Sequence, residues 1–239
     1  MKRLLLILSL IVLGLNASNA QRNFRFGMKA APMFCWIKPD FRDVPKDFSF
    51  EGGGGRMGIL WGPMAEIQLN ETFLISTGID INYTSGRLKG TLKDSIGNIV
   101  EWNQLYKTRF IELPVMLKFR TKEIGYLRYF GLFGLGAGFR YSANTEFSSV
   151  SNAKPDETIT NKDSNSDSYV NVFRGSMQVG AGVEYSLSGN TALVGSLVFN
   201  NGLTNMLKNQ VGSSLSDPFN AVRERGITNY MQLNIGILF

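Results

Sequence analysis

The stretch FGLFGLGAGFRY, residues 130–141, decides the fold class of this chain because it alternates two kinds of surface. Gly134, Gly136 and Gly138 take every second position, and apolar side chains such as Phe133 and Phe139 take positions between them. Successive side chains of a β-strand point to opposite faces of the sheet. The pattern therefore predicts a strand with one apolar face and one nearly bare face.

The same alternation recurs along the chain and gives eight predicted strands. These lie at residues 24–36, 56–69, 72–84, 105–120, 127–142, 169–187, 191–203 and 226–239. Short connections alternate with four long polar ones, at about 37–55, 85–104, 143–168 and 204–225. This order is typical of outer-membrane barrels. We therefore predict an all-β chain, an eight-stranded antiparallel up-and-down transmembrane β-barrel with short periplasmic turns, four long extracellular loops and both termini in the periplasm.

The outward face of the barrel is predicted to be the apolar one. A soluble barrel of lipocalin type also alternates, but its apolar face points inward. The predicted strands have about 12 to 15 residues, whereas strands of soluble proteins typically have five or six. Ten to twelve tilted residues rise about 25 Å, the height of an outer-membrane apolar band. Aromatic residues near both ends of the apolar face, such as Tyr129 and Tyr141, and Phe239 in the last strand favour the membrane alternative.

The first twenty residues have the features of a cleaved signal peptide. Lys2 and Arg3 precede an apolar run at residues 4–15, and Ser18 and Ala20 are small residues at the positions that a signal peptidase inspects. The apolar run is too short to span a membrane as a helix. We therefore predict a signal peptide at 1–20 and a single transmembrane β-barrel domain at 21–239, in contact with outer-membrane lipid.

The composition excludes several kinds of chemistry. The chain has no histidine, which removes Ser-His-Asp triads, Cys-His pairs and histidine-ligated metals. Its formal net charge of +6 is not gathered into the basic stripe that nucleic-acid binding requires. The segment from Asp163 to Asp167 opens like a calcium loop, but Ser168 and Arg174 occupy the places of the turn glycine and the bidentate glutamate. We predict no catalytic, cofactor-binding or metal-binding residues.

The alternation of inward- and outward-facing positions along the strands, called parity below, assigns ten charged side chains to the barrel interior. This predicted lumen charge network consists of Lys29, Arg56, Glu66, Asp80, Glu112, Lys118, Arg128, Arg140, Arg174 and Glu184. An eight-stranded barrel is just wide enough for side chains to fill, so the glycines leave room for large charged neighbours. Buried charges cost several kcal/mol each unless they pair. We predict a salt-bridged plug in which the three glutamates engage Arg128, Lys118 or Lys29; an ion or proton path is the alternative.

Residues 109–119, RFIELPVMLKF, carry a resemblance to a known family. They are a variant of the LEIPLLLKY-type strand of the PorT-like outer-membrane β-barrel proteins of the Bacteroidetes. The chain also resembles this family in its glycine-rich strand at 129–139, in GAGVEY at 180–185 and in NGLTN at 201–205. Many members pair a Glu and an Arg before this last element, where this chain has Ser196 and Val198. The resemblance implies an eight-stranded barrel of OmpA/OmpX type.

The resemblance also implies a function. It points to an integral outer-membrane protein with a structural or accessory role, and one role named in that family is support of protein export by the type IX secretion system. Protein partners would then belong to a secretion or assembly complex. A narrow pore and a loop-mediated ligand-binding or adhesion protein remain alternatives, as does an outer-membrane lipid-modifying enzyme. Because such enzymes rely on histidine, which the chain lacks, we predict no enzyme activity.

Overall fold

The computed structural model of the protein describes residues 24–39, 48–93, 97–152, 154–163, 170–207 and 226–239. Within these ranges the chain forms eleven strands and no helix. The strands are β1 (Phe24–Pro39), β2 (Phe48–Gly52), β3 (Arg56–Gln68), β4 (Phe73–Gly78), β5 (Asp80–Lys93), β6 (Ile99–Arg120), β7 (Leu127–Ser151), β8 (Lys154–Asp163), β9 (Phe173–Ser188), β10 (Thr191–Gly202) and β11 (Gly226–Leu238). The predicted signal peptide at 1–20 lies outside the described residues.

Antiparallel pairing closes these strands into a ring of eight. From β1 the ring runs through β3, the β4–β5 pair, β6, β7, β9 and β10 to β11, which pairs back onto β1 with Gly27 opposite Leu238. The β4–β5 pair acts as one strand interrupted at Ile79, since both halves join β3 to β6. Neighbours in the ring follow one another along the chain. The prediction of an eight-stranded up-and-down barrel is therefore confirmed.

Two of the predicted long loops are largely strand in the structure. The segments predicted as loops at 85–104 and 143–168 contain the outer parts of β5, β6 and β7 and all of β8. The pairing of β6 with β7 continues without a break in the ladder to Val100 opposite Ser151, apart from one bulge after Arg109. The prediction of a loop at 143–168 was thus wrong for most of its described residues. Backbone pairing is favourable for polar sequences as well when one face of the sheet is covered.

The two faces of the barrel wall follow the predicted parity. On β7, Leu135 is 59% exposed on the outside, whereas Arg140 is 9% exposed on the inside. On β11, Met231 and Leu233 face outward, and Gln232 and Asn234 are buried inside. The outer wall is therefore apolar and the inner wall carries the polar side chains, which is the inverse of a soluble barrel.

The short connections all lie at one end of the barrel, called here the turn end. They join β3 to β4, β6 to β7 and β9 to β10. In the first of them, the Oδ1 of Asn70 accepts hydrogen bonds from the backbone N–H groups of Thr72 and Phe73, which fixes the reversal locally. The backbone N–H of Phe239 donates to the carbonyl of Phe26 at the same end. The opposite end, with the long β5–β6 and β7–β8 hairpins, is the hairpin end.

Candidate functional site

The ten predicted lumen residues lie on the inner wall, but they do not form one network. Seven of them are buried, namely Glu66, Asp80, Glu112, Lys118, Arg140, Arg174 and Glu184, and Lys29, Arg56 and Arg128 are half-buried. The pairs among them divide into a central cluster around Glu112, a separate Lys29–Asp80 pair and a cluster near the turn end.

The central cluster is built around the carboxylate of Glu112, which accepts six hydrogen bonds from side chains of four other strands. The donors are Asn82, Arg174, Ser176, Gln178, Asn200 and Tyr230. Arg174 Nη1 lies 3.0 Å from Glu112 Oε2, and the Tyr230 hydroxyl lies 2.9 Å from the same oxygen. The guanidinium also donates to Asn200 Oδ1 and the Thr228 carbonyl. A buried charge pair with its remaining bonds satisfied in this way fixes the relative positions of five strands.

Space for the central cluster comes from the glycine-rich part of β7. A Cβ on Gly136 would overlap Glu112 Oε1, Ser176 Oγ and Gln178 Nε2. At Gly138, by contrast, an added Cβ would meet its nearest atoms at 3.6 Å, which is ordinary van der Waals contact. The central cluster therefore requires the absence of a side chain at Gly136 but not at Gly138.

We expect Gly136→Ala to lower the free energy of unfolding by about 1–3 kcal/mol because the added methyl group displaces a carboxylate held by six hydrogen bonds. Gly138→Ala is the matched control and should be neutral or stabilising by up to about 0.5–1 kcal/mol, since alanine loses less backbone entropy. Guanidinium unfolding in lipid vesicles, followed by tryptophan fluorescence, measures both. Equal effects of the two variants would show that the central cluster does not require the space at Gly136.

The turn-end cluster consists of two carboxylates and three cations. Lys118 Nζ bridges Glu66 Oε1, at 2.5 Å, and Glu184 Oε1. Arg25 Nη2 bridges the same two carboxylates, at 2.5 Å and 3.2 Å. Arg120 Nη1 adds a longer contact of 3.6 Å to Glu184 Oε2. Glu66, Glu184 and Lys118 are almost fully buried, so this cluster closes the inside of the barrel near its turn end.

The remaining predicted residues have other surroundings. Lys29 Nζ pairs with Asp80 at 2.9 Å. Arg140 Nε donates to the Asn171 carbonyl at 3.3 Å. Arg128 pairs with Glu123 on the β6–β7 turn. The prediction that Glu112 would engage Arg128, Lys118 or Lys29 was wrong: its charged partner is Arg174. The pairing of Lys118 with Glu66 and Glu184 agrees with the prediction.

The sequence-based prediction omitted several interior residues, although the alternation along their strands also places them inside. Arg25 lies two residues from the inward-facing Gly27 on β1, and Arg120 lies two residues from Lys118 on β6. The uncharged partners of Glu112 share the parity of charged neighbours, as Ser176 does with Arg174 on β9. The prediction considered charged residues alone, and it also left out these two arginines near strand ends.

Apolar layers separate and cover the charged clusters. Between the central and turn-end clusters lies a buried layer formed by Met64, Met116, Phe130, Leu132, Val194, Val198 and Leu238. Lys118 Nζ lies over the ring of Phe130, 4.0 Å from the ring centroid. Near the hairpin end a second apolar cluster, the hairpin-end plug, consists of Ile37, Leu88, Trp102, Tyr106, Ala143, Val170, Met206 and Leu207. The interior is thus filled in layers rather than lined as a channel.

In the interior, Ser176 and Glu112 place a hydroxyl beside a carboxylate, a combination that serves nucleophilic chemistry in some enzymes. Ser176 Oγ donates to Glu112 Oε1 at 2.6 Å. Both residues are only 1% exposed, so a substrate has no access to them. Among the described residues, no group of three or more Cys, Asp or Glu is arranged to hold a metal ion. The arrangement is suited to holding strands together.

Outside the barrel body, the long hairpins carry exposed charge pairs. Lys107 Nζ lies 2.8 Å from Glu146 Oε1 across the β6–β7 ladder. The hydrogen bond from Lys107 lowers the pKa of Glu146 below its ordinary value. Exposed apolar side chains such as Ile99 and Ile159 occur elsewhere on the same hairpins. The projecting sheet therefore presents a mixed surface, unlike the uniformly apolar wall below it.

The family comparison agrees with this architecture. In the described part of the chain, no helix is long and apolar enough to cross a membrane. A family model described as outer membrane protein beta-barrel domain matches residues 13–208. The chain belongs to this outer membrane β-barrel family.

The outer wall of this outer membrane β-barrel has the features expected of a lipid-facing surface. Exposed aromatic residues ring its two ends, with Phe73 and Tyr129 near the turn end and Tyr141 and Phe173 towards the hairpin end. Edge-to-face contacts join neighbouring rings across strands, as between Phe73 and Phe119 at 5.4 Å. The residues between these girdles are apolar, such as Leu135 and Val115. This is the pattern of girdles and apolar band that outer-membrane barrels share.

The chain is also similar, at low sequence identity, to solved structures. Neisserial surface protein A is 12% identical, covers 90% of this chain and 95% of its own, and has a TM-score of 0.41. OprG from Pseudomonas aeruginosa is 11% identical, with coverages of 91% and 96% and a TM-score of 0.42. Ail, the attachment invasion locus protein of Yersinia pestis, is 14% identical, with coverages of 91% and 99% and a TM-score of 0.34. No curated protein matches the chain. These similarities are too weak to support an argument about function.

Proposed function

We propose that this outer membrane β-barrel is a closed, non-enzymatic accessory protein that presents its long hairpins to other proteins. The observation that supports this proposal is the filled interior. Glu112 and Arg174, Lys118 and its two glutamates, and the two apolar layers occupy the space that a pore would need. An eight-stranded barrel has no further room for a water-filled channel once such side chains occupy its lumen.

The proposed orientation places the turn end in the periplasm and the hairpin end outside the cell. Short turns on the periplasmic side and longer connections outside are the usual arrangement of such barrels. Phe24 and Phe239, the first and last described residues along the chain, would then both lie on the periplasmic side.

The projecting sheet supplies the proposed contact surface. β6 has 22 residues and β7 has 25, whereas about ten to twelve tilted residues cross the apolar band. The excess of each strand therefore extends into the aqueous phase. The hairpin-end plug supports the inner side of this extension, where Trp102 and Tyr106 are 1% exposed. A sheet stiffened in this way offers a preformed surface, which lowers the entropy cost of binding a partner.

Support for protein export is the specific role that we propose for this surface. It rests on the resemblance of residues 109–119 and of the glycine-rich strands to the PorT-like barrels, which act with the type IX secretion system. In this chain Glu112 of that strand holds the central cluster together. The strand that carries the resemblance thus has a structural role in this chain. The proposed contacts with partner proteins are made by the hairpins.

Site-specific crosslinking in intact outer membranes tests the proposal. A photoreactive amino acid at Ile159, which is 55% exposed on β8, is expected to capture a protein partner in a defined ratio. The same amino acid at Leu135, 59% exposed on the apolar band, is the matched control and should capture lipid only. Recovery of the free monomer from both positions would contradict an accessory role. A steady stepwise conductance in planar bilayers would contradict the closed interior.

A further inference from the structure

A polar cavity of about 270 Å³ opens at the turn end of the barrel, below the turn-end cluster. Its lining includes Arg25, Glu66, Arg120, Arg128 and Ser186. The strands β1, β3, β6, β7 and β9 each contribute one of these side chains, so the cavity forms only when the ring is closed. Nothing in the structural role of the interior requires an open polar space at this position.

Positive charge is in excess around this turn-end cavity. The nearby cations are Arg25, Lys118, Arg120 and Arg128, and the carboxylates that engage them are Glu66, Glu123 and Glu184. Four cations thus share three carboxylates. Glu184 and Glu66 attract the guanidinium of Arg120, whereas Arg25 and Arg128 repel it. An uncompensated charge in a partly buried position is unfavourable unless an anion reaches it.

Arg120 has the least satisfied of these cationic groups. Its side chain is 10% exposed and lines the cavity. Its one ion pair within the described residues is the 3.6 Å contact with Glu184, a carboxylate that Lys118 and Arg25 already engage, and its side chain makes no hydrogen bond. A guanidinium carries five N–H donors in a planar fork. Most of these donors remain available to a group in the cavity.

Ser186 gives an independent indication of a missing ligand. Its Oγ is buried, lines the cavity and has no hydrogen-bond partner. A buried hydroxyl without a partner is rare because it loses its bonds to water without replacing them. The backbone of Ser186 is fixed by a hydrogen bond to the Tyr126 carbonyl, so the hydroxyl is held at the wall of the cavity.

Among the described residues, Glu66 is the carboxylate that lines the cavity, and Arg25 and Lys118 already engage it. Residues 1–23 contain no Asp or Glu. The strand ends that flank the other undescribed ranges lie at the hairpin end. Glu123, on the nearest turn, is engaged by Arg128. The described lining of the cavity thus leaves donors of Arg120 open to an anion from outside the chain.

We propose that the turn-end cavity binds a phosphate group through the guanidinium of Arg120, with Arg25 and the Ser186 hydroxyl as further donors. Arginine forks match the geometry of phosphate oxygens and bind them in a bidentate manner. The phosphate is carried either by the headgroup of a phospholipid in the adjacent leaflet or by a small soluble compound. This site is separate from the hairpins and does not depend on the proposed accessory role.

Titration of inorganic phosphate into the full barrel, folded in a phosphate-free glucoside detergent and observed by ³¹P NMR, tests the site. Arg120→Gln is expected to weaken phosphate binding about tenfold or more, because it removes a charge-assisted donor pair. Lys122→Gln is the matched control: it removes one positive charge from an exposed residue of the neighbouring turn and should leave affinity within about twofold. If both variants weakened phosphate binding equally, the effect would come from the net charge of the protein, and the proposed site would be wrong.

Ser186→Ala keeps the test decisive if Arg120→Gln fails to fold. This variant removes a buried hydroxyl that has no partner in the protein, so the fold should tolerate it. We expect it to weaken phosphate binding about threefold to tenfold, as loss of one hydrogen bond to a charged ligand does. Unchanged phosphate affinity in Ser186→Ala would contradict the proposed geometry.

Native mass spectrometry of the same detergent-solubilised barrel distinguishes the two sources of phosphate. Retention of phosphatidylglycerol but not of diacylglycerol, lost in Arg120→Gln, would support a lipid headgroup. Arg120-dependent binding of inorganic phosphate without retention of phosphatidylglycerol would support a soluble compound. If neither binds in an Arg120-dependent manner, the proposal is wrong.

Discussion

Replacement of Glu112 by glutamine is expected to lower the free energy of unfolding by about 3–5 kcal/mol. The carboxylate pairs with Arg174 at 3.0 Å and accepts hydrogen bonds from five further side chains. Glutamine has nearly the same shape but no charge, so Arg174 would remain buried without a counter-charge. The NH₂ group of the new glutamine would also face hydrogen-bond donors, which leaves at least one of these donors without an acceptor. Guanidinium unfolding of the barrel in lipid vesicles measures the loss.

Two further variants show whether the loss comes from the buried pair. In Glu112→Gln combined with Arg174→Met no charge is left without a partner, and at least half of the lost stability should return. Glu146→Gln breaks the exposed pair with Lys107 in the projecting sheet and should cause no measurable change, because solvent screens that pair. If Glu112→Gln unfolds like the wild type, the central cluster is not structural and the alternative of an ion or proton path gains support.

Replacement of Leu135 by arginine is the second large effect that we expect, with a loss of about 2–4 kcal/mol in a lipid bilayer. Leu135 lies midway between Tyr129 and Tyr141, which mark the two aromatic girdles on β7, and its side chain points outward. A charged side chain at that depth must leave the hydrocarbon by bending towards the headgroups or drawing water in. Unfolding from vesicles of defined lipid composition measures the change.

The same substitution outside the apolar band provides the control. Ile159 on β8 is about as exposed as Leu135, at 55%, but lies on the projecting sheet. Ile159→Arg should change the unfolding free energy by less than about 0.5 kcal/mol, as surface substitutions usually do. Similar costs at the two positions, or none at Leu135, would mean that the outer wall does not face hydrocarbon.

The faces of the barrel wall could be predicted from the sequence because they depend on a single local rule. Alternation with period two placed Leu135 outside and Arg140 inside, and it needed no knowledge of neighbouring strands. The length of the connections then gave the strand order. The number of strands in the ring follows from the same two observations.

The partners of the interior charges could not be predicted, since they depend on how far each strand is shifted along the barrel axis. Glu112 lies opposite Asp80 on β5 and Gly138 on β7, yet its charged partner Arg174 is on β9. That contact depends on the stagger of the closed sheet and on the gap left by the glycines of β7. A linear sequence pattern does not contain the stagger.

The projecting hairpins show a second limit of the sequence pattern. The Asn-, Ser- and Thr-rich segment after Ser142 has the composition of a loop, yet it pairs with β6 as far as Ser151. What sustains the pairing is the inner face, where Trp102 and Tyr106 are covered by Val170 and Leu207 from distant parts of the chain. Local composition does not reveal cover that comes from such a distance.

The pairing of β1 with β11 has a consequence for the order of events during insertion. Every other ladder of the ring joins strands that are close in sequence, whereas this one joins the first and last described strands. The earlier hairpins can form one after another, whereas the final seam closes the longest stretch of chain, carries the largest loop-closure entropy and is expected to form late. Until it does, β1 and β11 remain as two open strand edges, which are prone to aggregation.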